Sequence, residues 1–262
     1  MGRNFLIAIL MTVIGIPQLS FAQTSLNSEI APTGKLRVAM NGGNPVLLRR
    51  ASNGKMVGGV AFEVGKFVAD KLGISFELVA YSNADTYTRS FGKGEWDIGF
   101  GAPAPLVADK ADFVMALVLA DFAFVAAPSR QFTDATQVDR PGVKIGVGQN
   151  SFSDQFLSRS LKSAELVRLP AGTNGIEALK SAKVDVWAIS ATRAREIADG
   201  VRGAKVVPGA FTSERYMLTL PKGRSTAARD RIIEIVSEAK KAGVVRKVTE
   251  HPALTGVRVA PE

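Results

Sequence analysis

The chain has 262 residues, 46% hydrophobic and 22% charged, with no cysteine, one histidine and a formal net charge of +9. This is an ordinary globular composition, and it excludes a disulfide scaffold, a cysteine-linked lipid anchor and a low-complexity tract. Basic residues such as Arg37, Arg49, Arg50, Lys55, Arg168, Arg193 and Arg195 are scattered along the chain. They do not cluster on one element with interleaved aromatics, which argues for a solvated surface and against a nucleic-acid partner.

Residues 1–22 begin with Arg3, run apolar from Phe5 to Ile16, break at Pro17 and end in Ser20-Phe21-Ala22. That order predicts a cleaved secretory signal peptide and a periplasmic location. The apolar run of about a dozen residues is short of the roughly 20 that span a bilayer. About 240 residues remain after cleavage, enough for one large or two modest domains with their own cores.

Leu36 to Met40 alternates like a strand that breaks at Gly42-Gly43. From Gly59 to Leu72, the spacing of Val60, Val64, Phe67, Val68 and Leu72 predicts a helix, with Gly73 as its C-terminal cap. A strand from Phe76 to Ala80 completes a right-handed strand-helix-strand unit. A short helix over Thr86 to Gly92 leads through Gly94-Glu95-Trp96-Asp97 into a buried strand ending at Gly101. The second half repeats this plan. It has a strand over Val143 to Val147, a helix over Ser151 to Leu161 with Ser151 as N-cap, and a strand over Leu166 to Leu169. A helix over Gly175 to Lys180 then runs through Ala182-Lys183-Val184-Asp185 into another buried strand. Two β-rich stretches, Met115 to Ala127 and Phe211 to Leu220, join the halves, and an amphipathic helix over Ser225 to Ala242 stops at Gly243. Alternating strands and helices predict a mostly parallel sheet flanked by helices.

Five separated blocks carry a resemblance: Gly34-Lys35-Leu36-Arg37-Val38, the run from Gly59 to Gly73, Gly94-Glu95-Trp96-Asp97-Ile98, Lys110-Ala111-Asp112-Phe113 and the run from Gly142 to Val147. In order and spacing they resemble the extracellular solute-binding proteins of family 3, the periplasmic receptors of amino-acid ABC importers. The resemblance implies an α/β, two-lobe periplasmic binding protein of type II with two crossing strands as hinge. Lobe 1 would comprise residues 30–118 and 210–262, and lobe 2 residues 119–209. It further implies a monomer that takes a small-molecule ligand in the cleft, closes, and is read by the membrane subunits of an ABC transporter, with no cofactor. With no Cys, one His and no carboxylate cluster, no metal site is expected.

The chain departs from these relatives where they hold an amino acid. Family members place a Thr-x-x-Arg segment after the Gly-Glu-Trp-Asp strand, and its guanidinium grips the ligand carboxylate. Here the loop runs from Gly101 to Lys110, the Arg position falls on Val107 or Asp109, and no Arg occurs between Arg89 and Arg130. The carboxylate that takes the ligand ammonium lies, in relatives, five residues after the aspartate matching Asp185, and that position is Ser190. A hydroxyl does not balance a desolvated ammonium, and an unpaired buried charge costs several kcal/mol. The expected ligand is therefore a small polar or organic-acid solute instead of a zwitterion in the usual pose.

The candidate contacts are Asn41, Tyr81, Phe100, Gly101, Ala102, Asn150, Ser151, Phe152 and Ser190. Asn41 follows the first strand, and Tyr81, Phe100 and Trp96 are the aromatics available as a stacking face, with core packing as the alternative for each. Gly101 and Ala102 offer backbone groups at a strand tip. Asn150, Ser151 and Phe152 sit at a helix start, where amides hold polar or acidic oxygens. Two other readings stay open. One is an adaptor that has lost its small ligand and contacts another periplasmic protein. The other is a cyclohexadienyl dehydratase-like enzyme, which needs a cleft acid; Asp85, Asp109 and Asp154 are the candidates.

Overall fold

A computed structural model describes residues 26–103, 105–170 and 172–261. The predicted signal peptide lies outside the described residues.

After a short helix, α1 (residues 26–30), strand β1 (Lys35–Asn41) enters the sheet and the β2–β3 ribbon (Arg49–Arg50, Met56–Gly58) follows. Helix α2 (Val60–Leu72) buries Val60, Val64, Val68 and Leu72 on one stripe and is stopped by Gly73 at φ 69°. That left-handed position is open to glycine and strained for other residues. Then come β4 (Ser75–Tyr81), α3 (Ala84–Thr88) and β5 (Ile98–Gly101). Helix α3 starts two residues earlier than its apolar pattern suggests and ends four earlier. Asn83 forms a capping box with Thr86, and such a box fixes a helix start more firmly than apolar spacing.

The long strand β6 (Ala111–Ala126) leads to β7 (Lys144–Gly148), α4 (Phe152–Ser160), β8 (Glu165–Leu169), α5 (Gly175–Lys180) and β9 (Val186–Ser190). Helix α6 (Ala191–Asp199), β10 (Lys205–Val206), β11 (Thr212–Pro221), α7 (Thr226–Lys241), α8 (Val244–Thr249) and β12 (Val257–Val259) complete the chain.

The sheet order is β4-β1-β5-β11-β6-β9-β7-β8, with β10 and β12 on β6. Its two ends mirror each other. Strand β1 lies parallel between β4 and β5, and β7 lies parallel between β8 and β9. Between them β11 and β6 run antiparallel, β11 pairing with β5 and β6 pairing with β9. These two strands are the crossing strands of a two-lobe fold.

Alternation distributes the cores. In β1, Leu36, Val38 and Met40 join the large core with α2, α7 and α8, while Ala39 faces a separate cluster of Tyr87, Phe91, Trp96 and Val107. In β6, Ala123 and Val125 pack with Trp187, α5 and α6. Phe124 and Ala126 pack on the other face with Ile145, Val147 and Leu157. Each end of the sheet thus has its own core.

Candidate ligand-binding site

A cleft of about 720 Å³ opens where the crossing strands pass between these cores, a volume in the usual range for small-solute sites. One wall comes from Asn41, Asn44, Tyr87, Phe91 and the β5 tip, Gly101 to Pro103. The opposite wall comes from α4 and the turn before it: Asn150, Ser151, Phe152, Gln155 and Arg159. The floor is β11, residues Ser213 to Tyr216.

Of the residues expected from sequence, Asn41, Gly101, Ala102, Asn150, Ser151 and Phe152 line this cleft. Phe100, Tyr81 and Ser190 are not among its lining residues. Phe100 is only 1% exposed and belongs to the large core. Tyr81 packs beside Tyr87 and donates its hydroxyl to Glu95 Oε2 at 2.6 Å; burial first, then that bond, push its pKa up to about 12. Ser190 Oγ lies 3.0 Å from Thr192 Oγ1 at the start of α6. Trp96 is buried, with its indole N–H on Ser90 Oγ at 2.9 Å.

The helix start is tightly built. Asn150 takes a left-handed φ of 61°. Its amide donates to Asp154 Oδ2 at 2.9 Å, while Ser151 Oγ accepts from the Asp154 amide at 3.2 Å. The other carboxylate oxygen of Asp154 takes Arg168 Nε at 2.8 Å and the Ser158 hydroxyl at 3.1 Å. Burial pushes the pKa of Asp154 up, but these bonds outweigh it and hold the carboxyl below its ordinary range. Phe152 turns its ring onto Phe122, with centroids 4.6 Å apart.

Of the two positions expected to match the relatives' arginine, Val107 is 2% exposed among Tyr87, Phe91 and Trp96. Neither it nor Asp109 lines the cleft.

Sequence reasoning missed the floor. Tyr216 Oη donates to Glu214 Oε2 at 2.5 Å and accepts from Asn44 Nδ2 at 2.8 Å. Glu214 and Tyr216 share a face of β11 by the two-residue period of a strand. Burial raises the pKa of Glu214, against the lowering effect of the Tyr216 hydroxyl. Next to them, the Ser213 hydroxyl donates to Asp121 Oδ1 at 2.6 Å, and Arg258 pairs with the same carboxylate. The available signal was a glutamate two residues from a tyrosine in a strand whose second half is apolar, because a carboxylate drawn toward a core needs a partner.

No protein-family model matches the chain. Over 257 residues, 95% of this chain and 95% of the relative, it is 20% identical to the L-cystine-binding protein TcyJ of Escherichia coli (strain K12). Among solved structures, the amino acid ABC transporter substrate-binding protein AbpA from Streptococcus pneumoniae, bound to L-arginine, superposes with a TM-score of 0.63 at 22% identity. That match covers 87% of this chain and 97% of the other. The ancestral amino acid-binding protein AncCDT-1, a precursor of cyclohexadienyl dehydratase, matches with a TM-score of 0.62 at 21% identity, over 86% of this chain and 97% of the other. The fold is therefore that of the two-lobe amino-acid-binding proteins, and the relatives are of the family-3 type to which the sequence blocks pointed.

Proposed function

We propose that the chain is a monomeric periplasmic solute-binding receptor, exported by a cleaved leader, that delivers a small polar or organic-acid solute to the membrane subunits of an ABC importer. The observation that carries this reading is the cleft of about 720 Å³, whose walls and floor are drawn from both halves of the sheet. Similarity to a binding protein along 95% of the chain supports it. In this reading residues 30–118 with 210–262 close against 119–209, and Asn41, Gly101, Ala102, Asn150, Ser151 and Phe152 touch the solute. Val107 in the core and a neutral Ser190 outside the lining support a ligand other than a zwitterion held in the usual pose.

The reading also fits the chemistry of Asp154 better than acid catalysis does. A general acid must carry a proton at working pH, whereas Arg168, Ser158 and the Asn150 amide all favour the charged form of Asp154.

The test is thermal unfolding of protein purified without refolding, with native mass spectrometry to identify any co-purified molecule. A receptor gains about 2.7 kcal/mol at a hundredfold ligand excess over Kd. Arginine, glutamine, glutamate and histidine at millimolar concentration are expected to leave the melting temperature unchanged. Stabilisation by a partner protein alone would replace this reading with the adaptor.

A further inference from the structure

Two arginines, Arg159 of α4 and Arg215 of β11, line the cleft from different elements. Among the described residues the side chain of neither has an ion-pair or hydrogen-bond partner, which they share with arginines outside the cleft such as Arg202, Arg229 and Arg246, whereas Arg168 beside α4 and Arg258 beside β11 are each paired with a carboxylate. Arg159 does not stand alone on its helix. Ser151, Gln155 and Arg159 follow at steps of four, which sets them on one stripe, and all three line the cleft. The carboxyl group in the lining, Glu214, is occupied by Tyr216, which is in turn held by Asn44. The lining thus carries two uncommitted positive charges against one carboxyl already engaged in a hydrogen bond. A cleft of that sign attracts and retains an anion, and a guanidinium is shaped to receive a carboxylate.

We infer that Arg159 and Arg215 form a carboxylate clamp that stands in for the family's missing one, Arg215 from the face of β11 opposite to Glu214 and Tyr216, and that the Asn44–Tyr216–Glu214 chain, which lines the same cleft, receives a neutral polar group, such as a hydroxyl, of the same solute. The inference rests on the receptor reading and narrows it to organic acids. It also gives the clamp a new address: the arginine that relatives place on the loop after β5 is replaced by one on α4 and one on the crossing strand.

The experiment is isothermal titration of the whole purified protein with lactate, succinate, L-malate, citrate and benzoate, alongside glycerol and glucose as neutral polar probes. At least one carboxylate is expected to bind. Arg159→Gln and Arg215→Gln should each weaken it at least tenfold, and Arg193→Gln, at an exposed arginine outside the cleft, should leave it unchanged. Glu214→Gln should reduce any preference for L-malate over succinate, which differs from it by a single hydroxyl. Circular dichroism of the variants separates lost binding from lost folding. If a carboxylate binds and both arginine variants bind it as well as the parent, the clamp is wrong. If the neutral probes bind and no carboxylate does, the clamp is wrong and the receptor reading stands. If nothing binds and no small molecule co-purifies, both fall together.

Discussion

The four-residue segment before each inner strand occurs twice, as Gly94-Glu95-Trp96-Asp97 and Ala182-Lys183-Val184-Asp185, and the two copies solve one problem with different residues. In the first, the Asp97 amide donates to the Arg37 carbonyl at 2.9 Å, and the Arg37 amide returns a bond to Asp97 Oδ2 at 2.8 Å. In the second, the Asp185 amide donates to the Lys144 carbonyl at 2.9 Å, and the Lys144 amide donates to Asp185 Oδ2 at 2.9 Å. Each aspartate thus locks its strand in register against β1 or β7.

The countercharge differs. Arg37 supplies it from the locking residue itself, through Nε and Nη2 on Asp97. In the other copy Arg130 comes from a separate loop and grips Asp185 through the same pair of nitrogens. Asp97 has a side-chain exposure of 2%, and Asp185 one of 21%. The aromatic filler moves as well. Trp96 packs beside Gly99, whereas Val184 holds the matching place in the second copy and Trp187, three residues on, fills the space over Gly146 and Gly175. Equal geometry therefore does not mean equal energy, since the same bond stabilises more where water is excluded.

Substitutions at matching positions should break that equivalence in a fixed order. Asp97→Ala removes a buried carboxylate and the main partner of the half-buried Arg37 guanidinium, and should cost about 2–3 kcal/mol, read as a fall in denaturant midpoint. Asp185→Ala acts at a more hydrated pair and should cost about 1–2 kcal/mol. The second effect also has a pH signature. Burial alone would raise the pKa of Asp185, but Arg130 and the Lys144 amide outweigh it and hold it below its ordinary 3.8. A depressed carboxylate stabilises the fold above its unfolded pKa and loses that contribution as pH falls. The gap between parent and Asp185→Ala should therefore narrow on acidification below that value, and a gap that widened would contradict the assignment.

The smallest pair concerns the first residue of each copy. Gly94 has φ 70° and Ala182 φ 53°, both left-handed. Gly94→Ala should cost about 1 kcal/mol, and Ala182→Gly should stabilise by less than about 1 kcal/mol, because relief of strain is offset by a freer unfolded chain. Thermal unfolding of both variants at one pH checks the opposite signs.

Sequence was most legible where local chemistry decides the outcome. Gly73 and Gly243 sit left-handed at helix ends, Ser151 and Ser225 cap α4 and α7, and the repeated strand-helix order fixes the two ends of the sheet. Helix α6 escaped notice because it follows β9 directly from Ser190, with no side-chain cap bond to mark its start. The floor of the cleft was harder still. Strand β11 is read only as a β-rich stretch joining the halves, and its antiparallel pairing with β6 is what brings Glu214 and Tyr216 within reach of Asn44, 172 residues before Tyr216. Tyr81 and Phe100 were expected on chemical type alone, and type does not say which side of a sheet a ring is on.

Strand β11 floors the cleft and also ties one core to the other, and its ladder with β6 slips at Tyr216/Met217 and again at Leu218/Thr219. Such slips concentrate twist, so the most twisted stretch of the tie borders Glu214 and Tyr216 in the cleft floor. Occupancy and bending then share one piece of backbone. In the proposed receptor, a solute resting on Glu214 and Tyr216 would load the axle directly, with no need for a relay through either flank.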